Sequence, residues 1–205
     1  MTQAAMTGCV DVIDDDADVR GSIGSLLRSE GHRVRLFDSP AAYLAAEASP
    51  TACCLVLDIR LSGENGLDFQ ERLVTQARAV PVVLITGHGD IPMTVRGMRA
   101  GAVDVLPKPF ADDQLLEAVA RALAADKVRR ADAEQTARLR AAYDTLTPRE
   151  RECLTYASLG NSAKETARII DRSVPTVVMH LNSAARKLNA KNRTQAVVRA
   201  TQCRL

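Results

Sequence analysis

The chain has 205 residues, of which 46% are hydrophobic and 25% charged, enough for one ordinary domain or two small ones in a globular, soluble protein. No apolar run approaches the roughly 18 residues of a membrane span, and the start "MTQAAMTGCV" lacks the charged head and apolar centre of a secretory signal, so a cytoplasmic protein with no membrane partner is expected. The formal net charge of +2 hides an asymmetry: residues 1–125 carry 11 Lys+Arg against 17 Asp+Glu, and residues 146–205 carry 11 against 4. An acidic half joined to a basic half predicts two domains with different partners, the basic one a candidate for nucleic acid.

In the first half, short apolar strands alternate with amphipathic helices. "CVDVI" (9–13) precedes a helix whose Val19, Ile23, Leu26 and Leu27 fall at i, i+4, i+7 and i+8, ended by Gly31. "RVRLF" alternates as a strand, "SPAAYLAAEA" opens with a Ser cap and a first-turn Pro, and "CCLVL" (53–57) reads as a buried strand. Then "GLDFQERLVTQA" is helical, "VVLIT" (82–86) a strand, "IPMTVRGMRAG" a short helix and "VDVL" a strand. Leu115, Leu116, Val119 and Leu123 mark a fifth helix. Five strands each followed by a helix predict a doubly wound, parallel α/β sheet, which binds ligands beyond the carboxyl ends of its strands.

That end collects charge. Asp14, Asp15 and Asp16 follow the first strand, Asp58 the third, and Lys108 the fifth, while Thr86 ends the fourth. Carboxylates crowded together repel unless something positive lies among them, and hard oxygen ligands at this density suit Mg²⁺. With such an ion beside Asp58, Thr86 and Lys108 could each hold one phosphate oxygen during in-line transfer to the Asp58 carboxylate. The bland alternative is that the acidic run caps the following helix, Asp being favoured near the amino-terminal dipole.

The stretches "VIDDD", "LVLDIRLSGENG", "VVLITGHGDIPMTV" and "GAVDVLPKPF" resemble the receiver domain of bacterial two-component response regulators, over roughly residues 8–124, and the third is especially similar to the FixJ-type subgroup. The resemblance implies that Asp58 accepts phosphate from a cognate sensor histidine kinase. It also implies that Asp14, Asp15 and Asp58 hold Mg²⁺ with the backbone carbonyl of Arg60, that Thr86 is the switch hydroxyl, and that Lys108 contacts the phosphoryl group across a cis Lys108–Pro109 bond. Two positions depart from the family: Ser62 stands where Pro is usual, which would loosen the loop after the phosphosite, and Val105 stands at the usual aromatic switch position, which puts the coupling to dimerisation in doubt.

Residues 111–142 read as one extended helix: "DKVRRADAEQTARLRAA" contains neither Gly nor Pro, and its thin apolar face favours a spacer, residues 125–142, over a dimer helix. In "LTPRERECL", Thr147 is a good N-cap, Pro148 suits the first helical position and Glu150 completes a capping box. "SAKETARII" follows with Ser162 as cap, "DR" makes a tight turn, and "SVPTVVMHLNSAARKL" starts with Ser173 as cap. In that third helix Val177, Leu181, Ala184, Ala185 and Leu188 form the stripe that must face a core, leaving a polar and basic surface outward. A fourth helix, "RTQAVVRATQ", starts beside Asn192. Two short helices joined by a tight turn in a basic domain read as a helix-turn-helix, or else as a small helical interaction domain with a solvated basic face.

"LTPRERE", "GNSAKETA", "TVVMHLNSAARKL" and "NRTQAV" resemble the LuxR-type DNA-binding domain of the NarL/FixJ family, over about residues 143–203 of a domain placed at 143–205. The resemblance puts Val178, Met179 and Asn182 at base-reading positions and Lys164, His180 and Lys187 at backbone-contacting ones, with Thr176 and Arg186 on the same outward surface. An apolar pair at 178 and 179 would favour thymine methyls, hence half-sites containing A·T pairs.

The reading is a doubly wound (βα)₅ receiver, a long linker helix and a four-helix LuxR-type domain. It is a phosphorylation-dependent transcriptional regulator of a two-component system that binds promoter double-stranded DNA as a homodimer, with activation the family's commoner habit and RNA polymerase a further partner. No enzyme activity is expected beyond self-phosphorylation from a phosphodonor and autodephosphorylation. An aspartyl phosphatase would normally need a second Asp where Arg60 stands. The rival is a phosphorylation-independent DNA-binding regulator whose receiver serves as a dimerisation, ligand or redox module. The five cysteines, Cys9, Cys53, Cys54, Cys153 and Cys203, show no C-x-x-C or zinc spacing and imply no disulfides. Most read as small buried hydrophobes, with Cys9 or Cys203 as a candidate redox switch.

Overall fold

The structure is a computed structural model that describes residues 8–49, 51, 53–75, 80–87 and 91–203; the end of the sequence-predicted third helix and all of "HGD" lie outside these. The chain divides into two compact units, Met1–Arg130 and Ala131–Leu205. In the first, the elements run β1 (Cys9–Ile13), α1 (Ala17–Ser29), β2 (Arg33–Phe37), α2 (Pro40–Ala45), β3 (Cys53–Asp58), α3 (Gly66–Thr75), β4 (Val82–Thr86), α4 (Ile91–Arg99), β5 (Asp104–Pro107) and the start of α5 (Asp112–Asp144). All five strands are parallel, in the order β2-β1-β3-β4-β5.

The order follows from burial. β1, β3 and β4 are buried along their whole length, as expected of strands covered by helices on both faces. Alternate side chains of β3 feed two separate cores: Cys54 and Val56 join Ile23 and Leu27 of α1 and Leu115, Val119 and Leu123 of α5. Leu55 and Leu57 join Tyr43 of α2 and Leu67, Phe69 and Leu73 of α3. A one-residue slip of β3 would exchange these two sets, so its register is firmly specified. The winding of the sheet reverses between β1 and β3, successive strands being added first to one side and then to the other, and both strands end at that switch point, β1 just before Asp14 and β3 at Asp58.

Local chemistry sets the helix ends. Asp16 caps α1 by accepting from the backbone N–H of Asp18 and Val19 at 2.9 and 3.1 Å, and Ser39 caps α2. Gly31, Gly101 and Gly160 follow helices at φ of +82°, +89° and +90°, where a side chain would be strained.

In the second unit the end of α5 contributes Leu139, Ala142 and Tyr143 to a core shared with α6 (Pro148–Ser158), α7 (Ala163–Ile169), α8 (Val174–Lys187) and α9 (Arg193–Gln202). α6 carries the predicted capping box, with Thr147 and Glu150 each bonding the other's backbone, and α7 carries a second one from Ser162 and Glu165. The stripe Val177, Leu181, Ala184, Ala185 and Leu188 is buried in that core. The turn between α7 and α8 passes through Asp171 at φ +49°.

Gly66 is constrained by contact rather than by φ: a Cβ there would stand 2.3 Å from the Asp58 carbonyl oxygen and 2.9 Å from Ile59 Cα, both backbone. At Gly21, on α1, an added Cβ meets nothing within 4 Å. Gly66→Ala is therefore expected to cost about 1–3 kcal/mol, whereas Gly21→Ala should be neutral or stabilising by up to about 1 kcal/mol. Urea unfolding of the two variants beside the parent checks the contrast.

Candidate functional site

The three consecutive aspartates after β1 part ways. Asp16 is the helix cap; Asp14 is buried and Asp15 exposed. One oxygen of Asp14 accepts from the Asp16 backbone N–H at 2.9 Å, and the other accepts from the Lys108 ammonium at 2.8 Å. The same ammonium donates to Asp58 at 2.9 Å. Lys108 is aimed there because its backbone N–H donates to the Thr86 carbonyl at 2.7 Å, continuing the β4–β5 pairing; the Lys108–Pro109 bond is cis, as the resemblance implied. Thr86 is buried at the end of β4.

The electrostatics follow from this contact. Burial raises the pKa of Asp14 despite the neighbouring ammonium. Burial also works against the charge on Lys108, but hydrogen bonds to Asp14 and Asp58 carry its pKa above the ordinary lysine value. Asp15 is held below the usual carboxylate range, first by the Ser62 hydroxyl. Its Oδ2 accepts a short hydrogen bond from that hydroxyl and a second, at 3.0 Å, from the Ser62 backbone N–H. The loop at Ser62 is thus tied to the acidic cluster rather than loosened. Proline could supply neither donor, and sequence reasoning treated Ser62 only as a departure.

Carboxylate oxygens of Asp14, Asp15 and Asp58 lie within 4.8 Å of one another, close enough to share one small divalent cation whose ligands are all oxygen. The Arg60 backbone N–H donates to Asp58 Oδ1 at 3.3 Å, at the start of the turn closed by the Arg60–Asn65 bridge. Val105 is half-buried on the α2–α4 side of the sheet, beside that second core.

The second surface lies on α8. Opposite its buried stripe, Val178, Met179, Asn182 and Arg186 recur at i, i+1, i+4 and i+8, on one side of the helix. Met179 is 58% exposed and Val178 is half-buried. Asn182 Oδ1 accepts from Arg193 Nε at 3.0 Å, bringing in an α9 cation that the sequence reading did not single out. His180 is half-buried, Lys164 is exposed on α7, and the Thr176 hydroxyl pairs with the capping Ser173 hydroxyl at 2.7 Å.

Lys187 is placed differently from the others. Its ammonium donates to Glu150 at 2.8 Å and to the Thr145 carbonyl at 3.2 Å. Glu150, only 3% exposed, also accepts from the Ser183 hydroxyl at 2.7 Å and the Thr147 backbone N–H at 2.7 Å. One carboxylate therefore closes the α6 cap and ties α6 to α8.

Comparison with known proteins matches each half of the chain to a known domain family. Residues 10–120 match the family described as the response regulator receiver domain, and residues 144–200 match the bacterial regulatory proteins of the luxR family. The chain is 39% identical to Nodulation protein W of Bradyrhizobium diazoefficiens, over 93% of this chain and 84% of that one. It is 35% identical to the Transcriptional regulatory protein FixJ of the same organism, over 93% of both. Among solved structures, the response regulator StyR superposes with a TM-score of 0.82 at 37% identity, covering 95% of this chain and 98% of that one. Full-length FixJ from B. japonicum gives 0.57 at 34%, covering 96% and 97%.

A receiver fold followed by a helix-turn-helix domain defines the class, the DNA-binding response regulators. Within that class the chain belongs to the FixJ/NarL family of transcriptional regulators with a LuxR-type output domain. Among the described residues no helix is long and apolar enough to cross a membrane.

The Glu150 network generates a pH signature. Burial would raise the Glu150 carboxyl, but hydrogen bonds from Lys187, Ser183 and Thr147 outweigh it and hold its pKa at about 2, below the ordinary 4.5. A depressed carboxyl stabilises the fold above its unfolded pKa and stops doing so as pH falls through its folded one. Glu150→Gln should therefore cost about 1–3 kcal/mol at neutral pH. That difference from the parent should shrink from pH 4.5 downward and vanish near about 2, as measured by urea unfolding across that range.

Proposed function

We propose that the protein is phosphorylated on Asp58 by a cognate sensor histidine kinase and that this modification controls its binding to promoter DNA. The observation that carries the reading is the Lys108 ammonium between Asp14 and Asp58, at 2.8 and 2.9 Å, on the rim where β1, β3 and β5 end. Of the three clustered carboxylates, Asp14 is occupied by Lys108 and by the backbone of Asp16, and Asp15 by Ser62. Among the described residues, Asp58 Oδ1 has only the longer bond from Arg60 N–H, at 3.3 Å. That oxygen is the nucleophile. It attacks the phosphorus of a phosphohistidine in line, the P–N bond breaks as the P–O bond forms, and the imidazole leaves.

Mg²⁺, held by Asp14, Asp15, Asp58 and the backbone carbonyl of Arg60, would supply charge neutralisation for the phosphoryl oxygens. Lys108 takes one phosphoryl oxygen, giving up part of its bond to Asp58, and the Thr86 hydroxyl binds another. Movement of Thr86 is passed along β4 and β5 to Val105, the register partner of Leu84, whose small side chain transmits it less than an aromatic ring would. Self-phosphorylation from a small phosphodonor and slow loss of the phosphoryl group are the only chemistry assigned.

The receiver spans 8–124, the helical linker 125–142 and the DNA-binding domain 143–205. Phosphorylation favours a homodimer that presents two α8 helices to a two-fold related site, with activation through RNA polymerase as output, in the cytoplasm. Val178, Met179 and Asn182 read base edges, the apolar pair favouring thymine methyls, while Lys164, Thr176, His180 and Arg186 contact the backbone. Lys187 reaches a phosphate only by releasing Glu150.

The deciding experiment is intact mass after incubation with Mg²⁺ and a small phosphodonor, beside Asp58→Ala. The expected result is one phosphoryl group added to the parent and none to the variant, with DNA binding tightened by roughly 10²-fold through tethering of the second domain. No addition with DNA binding intact would instead favour a phosphorylation-independent regulator. Separately, Val178→Lys should change the half-site selected from a random-sequence pool; an unchanged selection would remove Val178 from the reading surface.

A further inference from the structure

At the opposite end of the sheet, β1 and β3 begin with a cluster that neither site uses. Cys9 and Cys53 are direct register partners in the parallel pairing of the two strands, and Asp11, two residues along β1, shares their face. The Cys53 thiol donates to Asp11 Oδ2 at 3.3 Å and the Cys9 thiol to Oδ1 at 3.7 Å. The two sulfurs and a carboxylate oxygen lie within 4.8 Å of one another. Arg35 of β2 grips both oxygens of Asp11, at 2.6 Å each. Cys54 joins the other core, on the reverse face.

Two readings compete with a chemical role. Buried cysteines are often only small hydrophobes, yet these two thiols converge on one carboxylate beside a guanidinium. A metal site would offer three donors where closed zinc sites use four, and the Arg35 cation already occupies the carboxylate such an ion would need. The surroundings are instead those of a reactive thiol pair. A hydrogen bond from Cys53 outweighs burial and brings the Cys9 pKa down to about 7, while the same contact, with burial, pushes Cys53 up. When Cys9 ionises it gives up its bond to Asp11, and the Cys53 proton turns from Asp11 to the new thiolate. A cleft of about 210 Å³, lined by Cys53, Asp11, Arg35 and Ser49 but not by Cys9 itself, brings a molecule the size of a small peroxide as far as Cys53, the register partner of Cys9.

We infer that Cys9 and Cys53 form a dithiol site that a hydroperoxide oxidises to a reversible disulfide. The Cys9 thiolate attacks the terminal peroxide oxygen and the O–O bond breaks, leaving a sulfenic acid and an alkoxide or hydroxide that takes up a proton. Cys53, losing its proton, then attacks the Cys9 sulfur and expels the hydroxyl, which departs as water. Two thiols have lost two electrons, and the peroxide has become an alcohol, or water, plus a second water. Neighbouring strands lie about 4.8 Å apart, within the roughly 4.4–6.8 Å that a disulfide spans between Cα atoms, so side-chain rotation is enough to close the bond. The disulfide withdraws both sulfur donors from Asp11, leaving it to Arg35.

The test is thiol counting on the full chain after a short exposure to a small excess of hydrogen peroxide, by alkylation, intact mass and peptide mapping. The parent should lose two alkylatable thiols, mapped as a Cys9–Cys53 crosslink and restored by dithiothreitol. Cys9→Ser and Cys53→Ala should each abolish the crosslink, while Cys54→Ser keeps it. Asp58→Ala should form it as the parent does, which separates this proposal from the phosphorylation reading. Failure to lose the pair, oxidation confined to Cys153 or Cys203, or a single over-oxidised thiol would overturn it. So would one retained metal ion in the native mass of the unoxidised protein, lost on Cys9→Ser.

Discussion

Everything at the active rim depends on the parallel pairing of β1 with β3. That pairing stands where the winding of the sheet reverses, so the backbone opens on both sides of it and leaves room for a ligand. It also sets carboxylates from distant parts of the sequence side by side, a costly arrangement without a compensating charge. The compensation comes from Lys108, delivered by β5 at the far side of β4, with its ammonium touching both Asp14 and Asp58. Sheet order, site and electrostatics are one constraint seen at three scales.

The second unit solves a parallel problem with one buried carboxylate. α6 and α8 each have polar faces that would drift apart if only the small apolar core held them. Glu150 bonds the α6 cap, the Ser183 hydroxyl and the Lys187 ammonium at once. A buried charge with this many partners specifies one relative placement of the two helices, because any other leaves it unpaired. The outward surface of α8 is thereby fixed in direction by a contact on its inner side.

Much of this was legible in the sequence. The strands and helices follow from periodicity, and the caps at Ser39, Thr147, Ser162 and Ser173 follow from residue type. The separation of the aspartates from one another did not. Asp14, Asp15 and Asp16 are chemically identical in the sequence, and only the path of the chain makes one a helix cap, one a partner of Lys108 and one a partner of Ser62. The strand order is likewise invisible to a periodicity argument, which counts strands without ordering them. The run after Ala125 reads as a solvated spacer, yet Asp126 within it is fully buried, accepting from the Cys53 backbone N–H at 2.8 Å and paired with Arg129 and Arg130. A contact across so long a sequence separation leaves no local signature, and neither does the register that sets Cys9 beside Cys53.

Ser62 has a consequence beyond fastening a loop. Its hydroxyl and backbone N–H both donate to Asp15, so an ion drawing on that carboxylate would exchange protein donors as well as solvent. In the proposed ion site, occupancy and the conformation of the segment after Asp58 would be thermodynamically linked, and such linkage is reciprocal. Whatever draws Asp15 away frees the segment, and whatever holds the segment still sets how readily Asp15 can be drawn. Where a proline would stiffen this stretch by restricting its own backbone, the serine makes its order a function of what fills the pocket.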